Sequence, residues 1–591
     1  MEKFRKNIIF IVLVVASAAY GLWYAWDIRW ACDDIFITLR YISNWFDGKG
    51  LVYNTGEHVE GYTHLLWLLL VAAAGKLGFD MMHASLWLGL LSFAGVLFLS
   101  AWRAKRIGLF LPVAAIYFCF HHDMAIWATG GLETMFYALL ILAAFAVRFQ
   151  SNISHINKLL SVGFICTLAV LTRPDAALLL LWFCFQEFLV LLLNKTSLGQ
   201  MVRQLFMLGI IPLVMLTPWL IWKYNFYGDV LPNTYYAKSG GLSYFSQGWD
   251  YLDSYARAYV SVYAALLIGV LGVVIGFIRR KKEPLSPLGI PLYLQSLSVM
   301  LFVFLYVVYF VAKSGGDYMY ARFIIPVVPL YMVAVENTLA MLGRRMPWRK
   351  FAVVNSLVLL AWFSFSFAEH EFRDSLFRTP GHTKLTEKWH EKIYESHVYH
   401  KYSYPTDKYR KIGEELKPVF AGTHARVLNF GDCCLCYYAG FEFVLENFGL
   451  TDSSIARKPL TERVTMVGHE KEATWDYLQE RNIQICINGK DFTQRPFTKF
   501  VFRSSQGDSI WADMLRYDVS VMETAKRNAG DQLQFIDPYD WFNQFIQDKD
   551  KLGADSVRKI YELNKGYYFY PNQHVPKVKA QEQEILDFIK K

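Results

Sequence analysis

Long apolar segments alternate with short polar ones over the first 370 or so residues of the chain. A helix needs about 20 consecutive, mainly apolar residues to cross the hydrocarbon core of a bilayer. Segments near this length predict about eleven membrane-spanning helices, at residues 8–26, 83–102, 107–120, 132–149, 158–173, 175–194, 204–223, 258–279, 290–312, 322–342 and 350–368. The first follows Lys3, Arg5 and Lys6 and has the length of an uncleaved signal anchor. The pattern therefore predicts a polytopic helical membrane protein.

Basic residues gather in alternate loops between these segments. They lie at residues 103–106, 148–158, 195–203, 279–282 and 344–350. The positive-inside rule assigns these loops to the cytoplasm, provided that the apolar segment 64–78 lies along the outer interface and does not cross. This assignment predicts a first outer loop over residues 27–82 and places the residues from 370 onward outside the cell membrane.

Composition agrees with this class and excludes others. The chain has 591 residues, of which 54% are hydrophobic and 17% aromatic, which is too apolar for a soluble domain. Its formal net charge of +9 comes from loops beside apolar spans, so we expect no nucleic-acid partner. No glycine-rich phosphate loop or nucleotide fingerprint is present in the sequence.

The carboxy-terminal part changes to mixed charge. Residues 424–430 and 483–487 predict strands, and residues 472–481 predict a helix between them. This alternation indicates a small α/β domain over residues 370–591, after a membrane domain over residues 1–369. Residues 468–470 are predicted to cap the helix. The spacing of Cys433, Cys434, Cys436 and Cys486 predicts no metal site and leaves a disulfide open.

The polar stretch 31–64 stands out because it follows an apolar span and is crowded with charge. Ionisable groups beside a bilayer are costly and indicate function. A helix is predicted from about Asp34 to Phe46, with Asp33 or Asp34 as its N-cap and Gly48 at its end. Arg40 shares a face with Asp33 in that helix. An Asp pair that only caps a helix, with Arg40 as an exposed ion-pair partner, is the alternative interpretation.

Other predicted outer loops carry further polar groups. Glu133 follows two glycines at the start of a span, and Asp317 follows another glycine pair. An Arg–Asp pair is expected to hold the turn at residues 173–175. Almost all non-basic polar chemistry therefore lies on one side of the membrane. This distribution favours a one-sided site over the midplane site expected of a transporter.

Several motifs together resemble a known family. DDIFITLRYISNWFDGKGLVYNTGEHVEGYT, GLETMFYALL, TRPDA, LPNTYYAK and GGDYMYARFIIP, in this order, resemble the terminal arabinofuranosyltransferases of bacterial cell envelopes. These are polytopic glycosyltransferases of the C-type fold, and the likeness continues at residues 449–457 and 467–471. The resemblance implies transfer of a sugar, D-arabinofuranose in the best-known members, from a polyprenyl phosphate. It also implies a bacterial inner-membrane protein whose site and carboxy-terminal domain face the periplasm.

The resemblance implies an acidic catalytic residue in the first outer loop, which Asp33 and Asp34 match. A carboxylate beside a sugar hydroxyl can act as a general base. Arginine and lysine side chains hold phosphate, so the candidate phosphate contacts are Arg40, Lys238 and Arg322. The candidate substrate contacts are Glu57, His58, Glu60, Glu133, Asn233, Tyr236 and Asp317. No metal ligand and no certain cofactor is assigned, and a divalent metal is left open.

The acceptor and the class of activity have alternatives. The expected partners are membrane lipid, a polyprenyl-phosphate sugar donor and a glycan, glycolipid or glycoprotein acceptor. A related enzyme would act on protein, such as a pilin, or on lipid A. A flippase or carrier for lipid-linked sugars is the alternative from another class. Inverting and retaining outcomes both stay open.

Overall fold

The computed structural model describes residues 2–238, 242–259, 261–279, 290–317, 319–343, 406–460, 467–487 and 498–590, with a few single positions between them. The predicted span 350–368, apart from isolated positions, lies outside the described residues. The predicted domain boundary at residues 369 and 370 lies outside them as well.

All regular structure described before residue 344 is helical. Its α-helices are α1 (Glu2–Asp27), α2 (Ile35–Phe46), α3 (Leu65–Lys76), α4 (Met81–Arg106), α5 (Val113–Phe120), α6 (His122–Ala128), α7 (Thr134–Arg148), α8 (His155–Thr172), α9 (Ala177–Leu193), α10 (Leu198–Tyr227), α11 (Asn233–Lys238), α12 (Phe245–Ala258), α13 (Ser261–Ile278), α14 (Leu292–Leu305) and α15 (Val328–Gly343). Short 3-10 helices cover Pro174–Ala176 and Ile325–Val327, and a π-helix covers Tyr306–Ala312. The predicted polytopic helical class is confirmed.

Eight helices in the described part of the chain are long and apolar enough to cross a membrane, and each coincides with a predicted span. The predicted span 132–149 corresponds to the shorter apolar helix α7. The predicted span 107–120 differs, because its helix α5 has only 8 residues. The backbone of His121 is extended (φ −81°, ψ 103°), which ends α5 before α6 begins. The segment at 64–78 forms α3, whose 12 residues are too few to cross a bilayer.

The carboxy-terminal part, which we call the tail, combines helices with one sheet. Its helices are α16 (Thr406–Val419), α17 (Cys433–Ala439), α18 (Ser453–Ala456), α19 (Trp475–Glu480), α20 (Val519–Ala529), α21 (Pro538–Leu552), α22 (Ala554–Asn564) and α23 (Pro576–Lys590). Its strands are β1 (Arg426–Asn429), β2 (Phe443–Glu446), β3 (Ile485–Ile487), β4 (Lys499–Arg503), β5 (Ser509–Met514) and β6 (Leu533–Phe535). The predicted α/β character of the tail is confirmed.

The described strands form a six-stranded sheet in the order β2-β1-β3-β5-β4-β6. Strands β2, β1 and β3 are parallel, and the remaining pairs are antiparallel. The three elements predicted in this region coincide with β1, α19 and β3. Strand β2 lies at the edge of the sheet, so one side of its backbone has no partner among the described strands.

The cysteines of the tail are buried. Cys433, Cys434 and Cys436 lie in α17 and Cys486 lies in β3, and the structure describes all four as free thiols. Free cysteine is usually buried and behaves as a small apolar side chain, and these thiols follow that rule.

The first outer loop covers the free side of β2. The side-chain oxygen of Asn54 accepts a hydrogen bond from the Val444 amide at 3.0 Å, and its amide group donates to the Val444 carbonyl at 2.9 Å. The Arg40 guanidinium donates to the carbonyls of Phe441 at 2.9 Å and Glu442 at 3.0 Å. Buried backbone groups need such partners, and an uncovered edge strand is prone to pair with other chains. The loop therefore fixes the tail on the helical bundle.

Helix α2 presents the residues that do this. Arg40 also donates from Nε to the Tyr53 carbonyl at 2.8 Å, and Asn44, one turn later, donates to the carbonyls of Val52 and Tyr53, each at 2.9 Å. The helix ends at Phe46, and Gly48 has the left-handed conformation expected after a helix (φ +78°). This predicted polar face of α2 shapes the turn that carries Asn54.

Replacing Asn54 by Ala removes both side-chain bonds to Val444 and leaves a buried amide and carbonyl without them. We expect the free energy of unfolding to fall by about 1–3 kcal/mol. Thermal unfolding of the purified protein measures this change. Gln573→Ala, at an exposed position of the tail, is the control and should leave the unfolding temperature unchanged. An Asn54→Ala variant as stable as that control would contradict the docking role.

Candidate functional site

A cavity of about 610 Å³ lies between the helical bundle and the tail. Its wall is built by three groups of residues. The first loop and α2 contribute Asp33, Asp34, Thr38, Tyr62 and His64, later loops contribute Arg173, Asp175, Lys238, Arg322 and Phe323, and the tail contributes Phe430, Glu446, Phe448, Gly468 and His469. The predicted outer loops thus converge with the tail on one space.

Arg322 is the centre of a buried group of charges. Its guanidinium lies 3.4 Å from Asp317, 3.5 Å from Glu133 and 3.7 Å from Asp34. Asp317 and Glu133 are almost fully buried, whereas the side chain of Asp34 is 24% exposed and lines the cavity. Asp34 is therefore the member of this group that a ligand can reach through its carboxylate.

Glu133 links Arg322 to a second arginine. Arg173 donates to the same Glu133 oxygen at 2.9 Å and pairs with Asp175, also at 2.9 Å. The other Glu133 oxygen lies 3.5 Å from Nδ1 of His64. Removing one partner from such a buried network leaves an uncompensated charge and is strongly destabilising. The predicted Arg173–Asp175 pair is present, and it is one part of this larger network.

The backbone that carries Asp317 and Arg322 is irregular. The π-helix Tyr306–Ala312 precedes it, and Gly315 and Gly316 are left-handed, with φ of +89° and +73°. Ala321 is also left-handed (φ +60°), which is unfavourable for a residue with a Cβ atom. Such strain persists only where the surrounding structure imposes it, and it clusters at functional sites. Here it brings Asp317 and Arg322 within 3.4 Å of each other.

Asp33 has a different environment from Asp34. Its two carboxylate oxygens accept hydrogen bonds from the backbone amides of Cys433 at 2.8 Å and Cys434 at 2.9 Å, at the start of α17. Burial raises the pKa of Asp33 to about 7, although these two donors act in the opposite direction. The predicted cap of α2 is not formed by the side chain of Asp34. Asp33 instead caps a helix of the tail.

Three other predicted site residues hold the tail and lie outside the cavity wall. Arg40 donates to the tail carbonyls described above, and Glu57 forms an ion pair with Arg481. The Asn233 amide donates to the carbonyls of Gly449 at 2.7 Å and Leu450 at 3.0 Å. Their polar atoms are therefore engaged in protein contacts, and Arg40 does not line the cavity that would hold a phosphate.

The remaining predicted contacts also lie outside the wall. Glu60 pairs with Lys223 at 2.6 Å, and both side chains are buried. His58 stacks on Phe226, with 4.4 Å between ring centroids. Tyr236 donates to Asp229 at 2.9 Å. Of the predicted set, the wall contains Asp33, Asp34, Lys238 and Arg322, while Glu133 and Asp317 lie behind Arg322.

The residues that the tail contributes to the cavity were not predicted from the sequence. Phe430 follows β1, and Glu446 ends β2, so both lie at the carboxyl ends of parallel strands, where ligand sites of α/β sheets form. Their place at the ends of parallel strands could have indicated that they belong to a site. The prediction that residues 468–470 cap a helix is wrong, because α19 begins at Trp475 and its N-cap is Thr474. His469 lines the cavity instead.

Glu446 is buried, and its carboxylate oxygens accept hydrogen bonds from the backbone amides of Phe448 and Leu450.

Within the described parts of the chain, no group of three or more His, Cys, Asp or Glu side chains is arranged to hold a metal ion.

Replacing Gly316 by Ala should distort the site. A Cβ atom there would lie 2.5 Å from Cγ of Tyr251, and the backbone is left-handed (φ +73°). We expect the free energy of unfolding to fall by about 1–3 kcal/mol, as measured by thermal unfolding. Gly209→Ala is the matched control, since nothing lies within 4 Å of its Cβ and alanine favours the helix. Equal unfolding temperatures for the two variants would contradict this account.

Glu446 should make stability depend on pH. Burial raises its pKa from 4.5 to about 7. A carboxyl whose pKa is higher in the folded state contributes stability below its unfolded pKa and loses that contribution as the pH rises through the folded value. We therefore expect the wild-type unfolding temperature to fall more steeply between pH 5 and 8 than that of Glu446→Gln. This pH range includes the folded-state pKa of about 7. Glu480→Gln, at an exposed position, should keep the wild-type slope.

The chain is similar to known proteins in sequence and in fold. None of the protein-family profiles matches the chain. The chain is 26% identical over 351 residues to the terminal β-(1→2)-arabinofuranosyltransferase of Corynebacterium glutamicum, covering 54% of this chain and 49% of that protein. It is also 26% identical over 348 residues to the enzyme of the same name from Mycobacterium tuberculosis, covering 54% of this chain and 53% of that protein. The chain thus spans about half the length of the curated relatives it matches.

One solved structure shows the fold. ArnT from Cupriavidus metallidurans, in a crystal structure with undecaprenyl phosphate, superposes with a TM-score of 0.50 and 12% identity, over 85% of this chain and 97% of that one. The resemblance to the terminal arabinofuranosyltransferases is confirmed by sequence similarity, and the predicted fold is confirmed as that of the C-type glycosyltransferases.

Proposed function

We propose that this protein is a membrane glycosyltransferase that transfers a sugar, D-arabinofuranose, from a polyprenyl phosphate to a glycan or glycoconjugate of the bacterial cell envelope. One observation carries the proposal. Asp34, Lys238 and Arg322, which lie in three separate segments of the sequence, line one cavity at the junction of bundle and tail. A carboxylate and cations arranged around one space suit the activation of a hydroxyl and the binding of a phosphate.

Asp34 is the general base in this proposal. Its carboxylate is partly exposed to the cavity and is held near Arg322. It takes the proton of the acceptor hydroxyl while that oxygen bonds to the anomeric carbon of the sugar. The bond between that carbon and the phosphate oxygen breaks, and the polyprenyl phosphate leaves with the electron pair. Asp33 is a positioning residue, because both its oxygens bind the tail.

The phosphate of the donor is held by cations of the wall. Arg322 lines the cavity, and its buried Nε has no hydrogen-bond partner among the described residues. Lys238 lies on the same wall, with its Nζ 5.9 Å from the ring centroid of Phe323. Glu133 and Asp317 orient Arg322 and do not contact the sugar in this proposal.

The prenyl chain leaves the cavity along apolar residues. Leu132, Leu231, Phe310 and Phe323 belong to the same wall as the cations. A lipid whose phosphate reaches Lys238 therefore has an apolar surface beside its first prenyl units, and burial of this surface contributes to binding.

The orientation follows from the loops. The cavity is built from the loops that the positive-inside pattern assigns to the outer face, together with the tail. This pattern supports the proposal that the site faces the periplasmic side of the inner membrane, where the donor lipid and the acceptor meet.

Asp34→Asn and Asp33→Asn separate the two acids. With purified protein, synthetic polyprenyl-phosphoryl arabinofuranose and candidate glycan acceptors, we expect Asp34→Asn to lower the rate of transfer by about 100-fold or more, because a positioned base contributes that much. Asp33→Asn should retain more activity and lose thermal stability. Asp47→Asn, whose side chain is 59% exposed, is the control.

Two results would overturn the assignments. Wild-type rates in Asp34→Asn would remove the base assignment. No new glycosidic bond with any glycan, peptide or lipid A acceptor, combined with movement of the donor across the bilayer, would favour a carrier over an enzyme.

A further inference from the structure

Positive charge is unevenly balanced over the cavity wall. Arg173 pairs with Glu133 and Asp175, and Arg322 lies near three acids. Lys238 differs from both, since the structure gives it no ion pair with any carboxylate of a described residue. An arriving phosphate therefore meets an excess of positive charge at Lys238, where no acid has to be displaced.

A segment of the tail packs directly against this lysine. Gly468 is left-handed (φ +84°), and a Cβ atom placed on it would lie 3.5 Å from Cγ of Lys238 and 3.7 Å from its Cε. His469 follows and lines the cavity. The centroid of its ring lies 4.4 Å from the ring centroid of Phe448, and this contact restricts the orientation of the imidazole.

Buried polar contacts hold this segment to the bundle. Arg463 pairs with Glu470 at 3.1 Å, and both side chains are nearly inaccessible. The same guanidinium donates to the Lys238 carbonyl at 3.4 Å. Lys471 donates to the Tyr236 carbonyl at 2.9 Å. The tail is therefore fixed on both sides of His469 to the region that carries Lys238.

We propose that His469 and Lys238 together form the subsite for the phosphate of the lipid donor, so that the site is shared between the bundle and the tail. An imidazole N–H and an ammonium group are both hydrogen-bond donors to phosphate oxygens. Arg322 then contributes positive charge from the wall of the cavity, and Lys238 with His469 donates the hydrogen bonds to the leaving phosphate. This inference rests on the proposed function and adds a tail residue to it.

Binding of two lipids tests the subsite. The probes are a polyprenyl phosphate without sugar and the corresponding uncharged polyprenol, titrated against the purified full-length protein. His469→Phe keeps a ring against Phe448 and removes the donor. We expect it to lower the affinity for the polyprenyl phosphate by about tenfold, which corresponds to the loss of one hydrogen bond to a charged group. The affinity for the polyprenol should stay the same. His574→Phe, at an exposed position of the tail, should change neither.

The ratio of the two affinities distinguishes the outcomes. A substitution that merely distorts the protein lowers the affinity for both lipids. For this reason His469→Gln is titrated as well, and the unfolding temperature of each variant is measured. If both His469 variants keep the wild-type ratio, the inference is overturned. If the wild-type protein itself does not prefer the phosphate to the alcohol, the proposed function fails, and this result is distinct from the first.

Discussion

The cover that the first outer loop places over strand β2 is the contact on which the rest depends. On one side, the backbone of Val444 is not paired with any of the described strands, and Asn54 binds both its amide and its carbonyl. Arg40 and Asp33 add further bonds to tail backbone groups. Because these donors and acceptors are buried, leaving them without partners would be costly. The tail is therefore held in one position, and that position closes the cavity.

Burial of charge is the second constraint. Arg322 cannot be buried without acids around it, and Asp317 and Glu133 supply two of them behind the wall. The strained backbone at Ala321 is tolerated because it brings this arginine to the acids. Asp34 is left as the partly exposed acid of the group. The same electrostatic balance therefore stabilises the loop and presents a carboxylate to the cavity.

The two adjacent aspartates show how closely chemistry depends on orientation. Asp33 and Asp34 are equivalent as sequence, and both suit a helix cap or a base. In the fold, one is directed to the amides of Cys433 and Cys434 and the other to Arg322. Glu57 and Asn233 resemble sugar contacts by composition, but their polar atoms bind the tail. A polar group near a site serves assembly as readily as catalysis.

The sequence by itself determined eight of the helical spans, because the length of an apolar segment is a local property that can be compared directly with the thickness of a bilayer. It also determined helix α2, the strands β1 and β3, and the family resemblance, which rests on motifs. Only the tertiary structure decided which outer-loop residues reach the cavity and that His469 and Glu446 join them. Those contacts join residues about 400 positions apart, as between Asp33 and Cys433. No local pattern encodes such a pairing, since it depends on how the tail packs on the bundle.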